Sequence, residues 1–289
     1  MDQLLEILNP HFLLRNALYA GLLVGLVCPQ VGIFFVLRRM VLLGIALPQV
    51  SNAGVAFAFL LHTLGWHIFA HTETETATAL SGSIVFTLAV IFTLAILERR
   101  RGGFTENRIG FTYALAWAAS ILFVAWNPYG QAEVFSMLKG QIVAVPNLYL
   151  LFMLVIYGTI FIFLIGFHRN FVVVSYDADM ATTLGKNIVL WDILLYLIIG
   201  IVISFGVMTV GPLVIFGFLL IPPMAARMVT RGIPLFCIVS SVIGITASFT
   251  GFYLSYRFDL PTGSTNVALL CAIFVFLYMA KIIARLFKR

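Results

Sequence analysis

The sequence predicts an all-α, polytopic membrane protein with about nine transmembrane helices. Of its 289 residues, 62% are hydrophobic and only 10% are charged, whereas roughly 25% of the residues in a soluble domain carry a charge. The mean hydropathy is +1.09. Apolar runs long enough to cross roughly 30 Å of hydrocarbon as helices recur along the whole chain. These observations exclude a soluble globular domain.

The apolar runs follow one another with short connections. They cover residues 13–37, 41–64, 79–97, 109–126, 147–167, 189–208, 209–226, 233–255 and 265–284. Only a turn near Gly211 separates the sixth run from the seventh, so eight spans is the alternative. The apolar segment 135–145 is too short to span and is expected to be interfacial or re-entrant. Because no long polar stretch interrupts the runs, a single transmembrane domain is expected over residues 1–289.

Lysine and arginine residues set the expected orientation, because cytoplasmic loops of membrane proteins retain an excess of them. If the loop at 99–101 is placed inside, all other Lys and Arg residues also fall inside except Arg15, Lys139 and Arg257. The N-terminus is therefore expected outside and the C-terminus in the cytoplasm, with the chain in the cell (inner) membrane. This distribution accounts for the net charge of +6 without a nucleic-acid partner.

The sequence contains none of the motifs that would let the chain act as an enzyme. Gly185-Lys186 lacks the upstream glycine of a P-loop and is followed by Asn187, so ATP hydrolysis is expected on a separate subunit. His-Glu-x-x-His and Gly-x-Ser-x-Gly are also absent. Intramembrane chemistry and proton-coupled transport need ionisable groups at depth. No expected span carries one near its centre, and Asp192 comes nearest.

A short polar segment at 175–186 falls on the expected cytoplasmic side. Asp177 is suited to cap a helix that begins after it, and Gly185 is suited to end that helix. An apolar face would then carry Met180, Ala181 and Leu184. Such a helix is what a permease presents to a partner ATPase, and the candidate contact residues are Asp177, Asp179, Met180, Ala181, Leu184 and Gly185. The alternative is a loop helix that packs only on its own bundle.

Several segments resemble, in the same order, the permease subunits of the ABC importers for zinc, manganese and ferrous iron. Segment 175–186 is similar to the cytoplasmic coupling helix of that family. The other similar stretches are 14–17 with 20–22, 36–40 running into Gly44, Glu106 with 109–110, 219–222 with 225–227, and 260–263. The resemblance implies a type II ABC importer permease-like fold. It also implies a second permease copy (a homodimer) or a sister permease, two cytoplasmic ATPases that bind ATP, and an external substrate-binding protein.

The chain departs from that family in the span after the double arginine. The family carries an aspartate directly after the glycine and a histidine four residues later, so both can meet a passing cation. Here these positions hold Ile45 and Gln49. The candidate path residues on this span are Gly44, Ile45, Pro48, Gln49, Ser51 and Asn52. The alternative is that the amides of Gln49 and Asn52 only hydrogen-bond neighbouring helices.

Histidines cluster at the outer end of the same span. His62, His67 and His71 are three of only five histidines in the chain. His67 and His71 are one helical turn apart and could share a metal ion with Glu75. The alternative is an ordinary solvated loop near the lipid headgroups.

The sequence leaves three functions open. The first is the permease subunit of an ATP-driven importer for a transition metal or a metal-related solute. The second is an importer permease of the same architecture for a neutral or chelated small solute, because the charged pair is absent. The third, from another class, is a self-sufficient channel or secondary carrier. The coupling-like segment and the lack of mid-membrane charge favour the importer readings over the third.

Overall fold

The computed structural model describes residues 14–64, 75–99, 106–127, 147–176 and 178–286. Within these ranges the regular elements are helices, as predicted. They are α1 (Arg15–Leu37), α2 (Leu43–Thr63), α3 (Glu75–Arg99), α4 (Glu106–Ala125), α5 (Asn147–Gly166), α6 (His168–Tyr176), α7 (Ala178–Thr183), α8 (Ile188–Val210), α9 (Pro212–Val229), α10 (Ile233–Phe258) and α11 (Thr262–Leu286).

Nine of the helices in the described residues are long and apolar enough to cross a membrane, and all nine predicted runs correspond to one of them. The separation of the sixth span from the seventh is sharp. Gly211 has a φ of 86°, in the region that favours glycine. Pro212 then begins α9, where its missing N–H costs no helical hydrogen bond. The predicted interfacial segment 135–145 lies outside the described residues.

The chain divides into two compact units by its internal contacts. The first comprises Met1–Val36, Gln141–Gly166 and Leu213–Arg289, and its described part holds most of α1 and all of α5, α10 and α11, with α9 from its second residue. The second comprises Leu37–Gly140 and Phe167–Pro212, and it holds α2 to α4 and α6 to α8. The single domain expected over residues 1–289 stays a prediction.

In the first unit, α1 and α10 approach closely at small residues. A Cβ atom added to Gly25 would lie 2.9 Å from the carbonyl carbon of Gly244, so no larger side chain fits between the two backbones. The Gln30 amide donates hydrogen bonds to the Cys237 carbonyl at 2.8 Å and to Ser241 Oγ at 2.7 Å. Close backbone packing and interhelical hydrogen bonds therefore hold this pair together in place of a hydrophobic driving force.

In the second unit, α2 is the central helix. It packs against α3, α4 and α8, and 83% of its most apolar window is buried. The hydroxyls of Ser51 and Ser83 share a hydrogen bond of 2.6 Å between α2 and α3. Gly54 and Gly82 let the same two backbones come together. The helix that carries the candidate path is thus held on several sides.

A methyl group at Gly54 is expected to destabilise the second unit. Its Cβ would overlap the Gly82 carbonyl oxygen and lie 2.7 Å from Phe86 Cβ, so α2 and α3 would have to separate. Gly54→Ala should lower the free energy of unfolding by about 1–3 kcal/mol, measured as loss of monodisperse protein on heating in detergent. Gly110→Ala is the matched control, because no atom lies within 4 Å of a Cβ there. Equal thermal stability of the two variants would contradict this packing.

Candidate translocation path and docking segment

The candidate path residues lie on the first half of α2. Pro48 is inside the helix and cannot donate a hydrogen bond to the Gly44 carbonyl, which opens the helical ladder at that turn. Gly44 and Pro48 are buried, and Ile45 is half-buried. The sequence therefore places a polar backbone group one turn before the amide of Gln49.

The two amides of this helix are buried. Gln49 is 5% exposed and Asn52 is 7% exposed. They are three residues apart and share one flank of the helix. The Oδ1 atom of Asn52 has no hydrogen-bond partner among the described residues. A buried acceptor without a partner is costly, so it is available to a water molecule or a passing solute.

Ser51 makes a different contact from these two amides. Its side chain is fully buried, and its hydroxyl pairs with that of Ser83 on α3. In this structure the paired hydroxyl holds α2 and α3 together. That Ser51 lines the path stays a prediction. Adjacent helical residues point about 100° apart, which separates Ser51 from Asn52.

The expected short helix before Gly185 is present as α7. Its end is closed by hydrogen bonds from the Gly185 N–H to the Thr182 carbonyl at 2.9 Å and from the Lys186 N–H to the Ala181 carbonyl at 3.0 Å. Gly185 has a φ of 69°, as this type of helix end requires. Asp177 lies outside the described residues, and of Asp179 only the backbone is described. The prediction that Gly185 ends the helix is confirmed.

The exposed face of this segment differs from the predicted one. Met180 and Leu184 are 54% and 55% exposed, whereas Ala181 is fully buried. α7 packs against α6 and α8, and Ala181 lies on the side that they cover. Ala181 is therefore not on the exposed face of α7. That it contacts a partner stays a prediction. Tyr176, the last residue of α6, is 74% exposed and adds a third exposed aromatic or apolar side chain to segment 175–186.

The histidine cluster is only partly described. His67 and His71 lie outside the described residues, and Glu75 begins α3 with its side chain outside the description. His62 is exposed in the last turn of α2. No group of His, Cys, Asp and Glu side chains able to hold a metal ion occurs in the part of the chain that the structure describes. The proposed site at His67, His71 and Glu75 stays a prediction.

A charged cluster around Arg38 was not anticipated from the sequence. Arg38 Nη2 forms an ion pair with Asp192 Oδ1 at 2.7 Å, and Arg38 Nε donates to Ser175 Oγ at 3.0 Å. Its guanidinium also lies 5.7 Å from the ring centre of Tyr196. The available signal was Asp192 itself, because an acidic residue inside the end of an apolar span needs a cation nearby.

The comparisons with known proteins agree with this architecture. A family model described as the ABC 3 transport family matches residues 11–281. The chain belongs to the ABC 3 transport family. MntC, a manganese transport system membrane protein of Listeria monocytogenes, is 25% identical over 276 residues, covering 95% of this chain and 93% of the relative. A probable iron transport system membrane protein of Haemophilus influenzae is 23% identical over 96% of this chain and 93% of its own length.

A solved structure shares the fold. PsaBC from Streptococcus pneumoniae, in complex with Fab, matches with a TM-score of 0.77 and 24% identity over 96% of this chain and 95% of the matched chain. Membership of the ABC 3 transport family confirms the predicted resemblance, the multi-pass helical fold and the prediction of a transport subunit. It disfavours a self-sufficient channel or carrier.

One titratable group near the docking segment is perturbed. His168 begins α6, outside the spans, and burial lowers its pKa below the usual 6.5. Neutral His168 is therefore the stable form at neutral pH. Lys186, which follows α7, donates a hydrogen bond to Asn170 on α6. This bond fixes the end of α7 against α6. The α7 segment is thus anchored to α6 on one side and exposed at Met180 and Leu184.

Proposed function

We propose that the chain is the membrane-spanning permease of an ATP-driven importer for a transition metal. Manganese is the first candidate substrate, and iron and zinc are the alternatives. The observation that carries this proposal is the family match over residues 11–281. The matched Listeria and Haemophilus proteins are named for manganese and iron transport. A chain without its own nucleotide site needs a partner to use ATP.

Membership of the same family supports a proposed assembly. We expect two copies of this chain in the bilayer, two cytoplasmic ATPases that bind ATP, and a substrate-binding protein on the outer side. The basic residues support an outer N-terminus and a cytoplasmic C-terminus, since Arg38, Arg169 and Lys186 would all lie inside. Arg15 and Arg257 would lie outside.

The docking surface for the ATPase is formed by Tyr176, Met180 and Leu184. These apolar side chains are exposed on a segment outside the spans, where water makes their exposure unfavourable. Burial against a partner removes that cost. Ala181 supports the surface from behind, because it fixes α7 against its own chain.

The amides of Gln49 and Asn52 are covered by the chain's own residues. Both amides are buried, so passage of a solute requires α2 to move relative to its neighbours. An amide offers a carbonyl oxygen and N–H donors but no charge and no strong nitrogen ligand. We expect weak holding of free metal in the membrane, with selectivity in the external binding protein. This neutral lining favours a second candidate cargo, a chelated or neutral small solute.

Co-purification tests the assembly. The chain, extracted from its own membranes in mild detergent with an affinity tag, should bring down a P-loop ATPase in a ratio of one to one. The mass of the complex should match two copies of each subunit. A chain that purifies free of any ATPase, and is stable and monodisperse alone, would contradict the proposal.

A further inference from the structure

We propose that Arg38 is a positioning residue that transmits motion from the docking segment to the path helix. This inference rests on the proposed function, because it gives the ATPase contact a mechanical route to α2. All the groups involved belong to the second unit. From the turn before α2, the Arg38 guanidinium links α6 and α8, so the three elements do not move separately.

The Arg38 guanidinium contacts two helices of the second unit. Arg38 is 11% exposed and Asp192 is 23% exposed at their side chains, so the pair is largely shielded from solvent. Different N–H groups of the guanidinium donate to different elements. Nη2 donates to Asp192 on α8, and Nε donates to Ser175 on α6. Nη1 lies 3.5 Å from the hydroxyl of Tyr196, also on α8.

Arg38, Ser175 and Asp192 lie at or near the ends of helices. Arg38 directly follows α1 and precedes α2 by a short turn. Ser175 is the second-last residue of α6, just before α7, which bears the exposed Met180. Asp192 lies in the second turn of α8. A displacement of α7 by a partner is therefore passed through Ser175 to the residue that leads into α2.

The guanidinium group of Arg38 suits this role by its chemistry. Arginine presents its donors in a rigid planar fork and keeps its charge at all physiological pH values. Lysine has a single flexible ammonium and cannot hold the same partners in fixed directions. Because the ion pair is largely shielded, removal of the cation leaves Asp192 poorly compensated. The position therefore requires arginine for its geometry as well as for its charge.

The experiment uses the purified complex of this chain with its ATPase and binding protein in liposomes. Manganese uptake and ATP hydrolysis are measured together, which gives the number of Mn²⁺ ions transported per ATP. Arg38→Gln should retain the bound ATPase but transport roughly tenfold fewer ions per ATP, a change typical of coupling between sites. Ser175→Ala removes only the hydrogen bond from Arg38 to α6 and should lower the number of ions transported per ATP severalfold. Arg38→Lys should restore it in part.

Arg39→Gln is the matched control, because it removes the same charge from the adjacent, exposed residue. It should keep the native ratio. An unchanged ratio in both Arg38→Gln and Ser175→Ala would overturn the inference. So would a loss of ATPase binding and thermal stability in both variants with a native ratio in the surviving complex, because Arg38 would then be only a structural anchor. A wild-type chain that binds no ATPase would instead overturn the proposed function.

Discussion

Replacing Met180 and Leu184 together with aspartate is expected to abolish ATPase binding. Both side chains are more than half exposed on a segment outside the spans, so the change should leave the fold of the chain intact. In the complex the new carboxylates would be desolvated without partners, at a cost of about 1–3 kcal/mol or more each. The dissociation constant should therefore rise by at least roughly thirtyfold.

Titration of the purified ATPase onto the immobilised chain measures this effect. Asn187→Asp is the control: it adds one carboxylate next to the same segment, and aspartate caps a helix as well as asparagine does. The control should bind as the native chain does. Native affinity in the double variant would show that the ATPase docks elsewhere, whatever the exposure of Met180 and Leu184.

Changes at Gln49 are expected to separate passage of the solute from assembly of the complex. Gln49→Leu removes the amide at nearly constant volume and should slow transport roughly tenfold, which corresponds to one lost hydrogen bond of about 1.5 kcal/mol. ATPase binding should not change. Ser51→Ala is the contrasting variant, since Ser51 pairs with Ser83. Ser51→Ala should lower the free energy of unfolding by about 1 kcal/mol and leave the transport rate of the folded protein unchanged.

Restoring the charged pair tests the same idea from the other side. Ile45→Asp with Gln49→His places a carboxylate and an imidazole one turn apart, a set that binds divalent transition metals. The double variant should retain Mn²⁺ or Zn²⁺ after dialysis, and its transport should become sensitive to added metal. Tight metal retention by the native chain within its spans would contradict the neutral-path account, because other residues would then supply the ligands.

The spans could be predicted from the sequence because hydrocarbon imposes a length on each helix. The sequence also indicated the end of α7, since Gly185 supplies the left-handed residue that the terminating hydrogen bonds need. The choice between eight and nine spans needed the geometry at Gly211. There the positive φ and the following proline end one helix and begin the next.

The candidate site was only partly predictable. Apolar spacing on α7 showed which residues share a face, but it did not show which part of that face the chain covers itself. Ala181 is covered and Met180 is not. The pairing of Arg38 with Asp192 joins residues 154 positions apart, which no local pattern records. Ser51 and Asn52 are adjacent polar residues. Only packing pairs Ser51 with α3 and leaves the Asn52 Oδ1 atom without a hydrogen-bond partner among the described residues.

Uptake of radioactive Mn²⁺ into liposomes tests the central claim most directly, since it asks whether this chain transports only as the permease of an ATP-driven complex. Liposomes that contain the chain with its ATPase should accumulate Mn²⁺ when the binding protein is outside and ATP is inside. Liposomes with the chain alone, or with an ATPase that cannot hydrolyse ATP, should accumulate none above the protein-free background. Accumulation by the purified chain alone under a proton or sodium gradient would contradict the account.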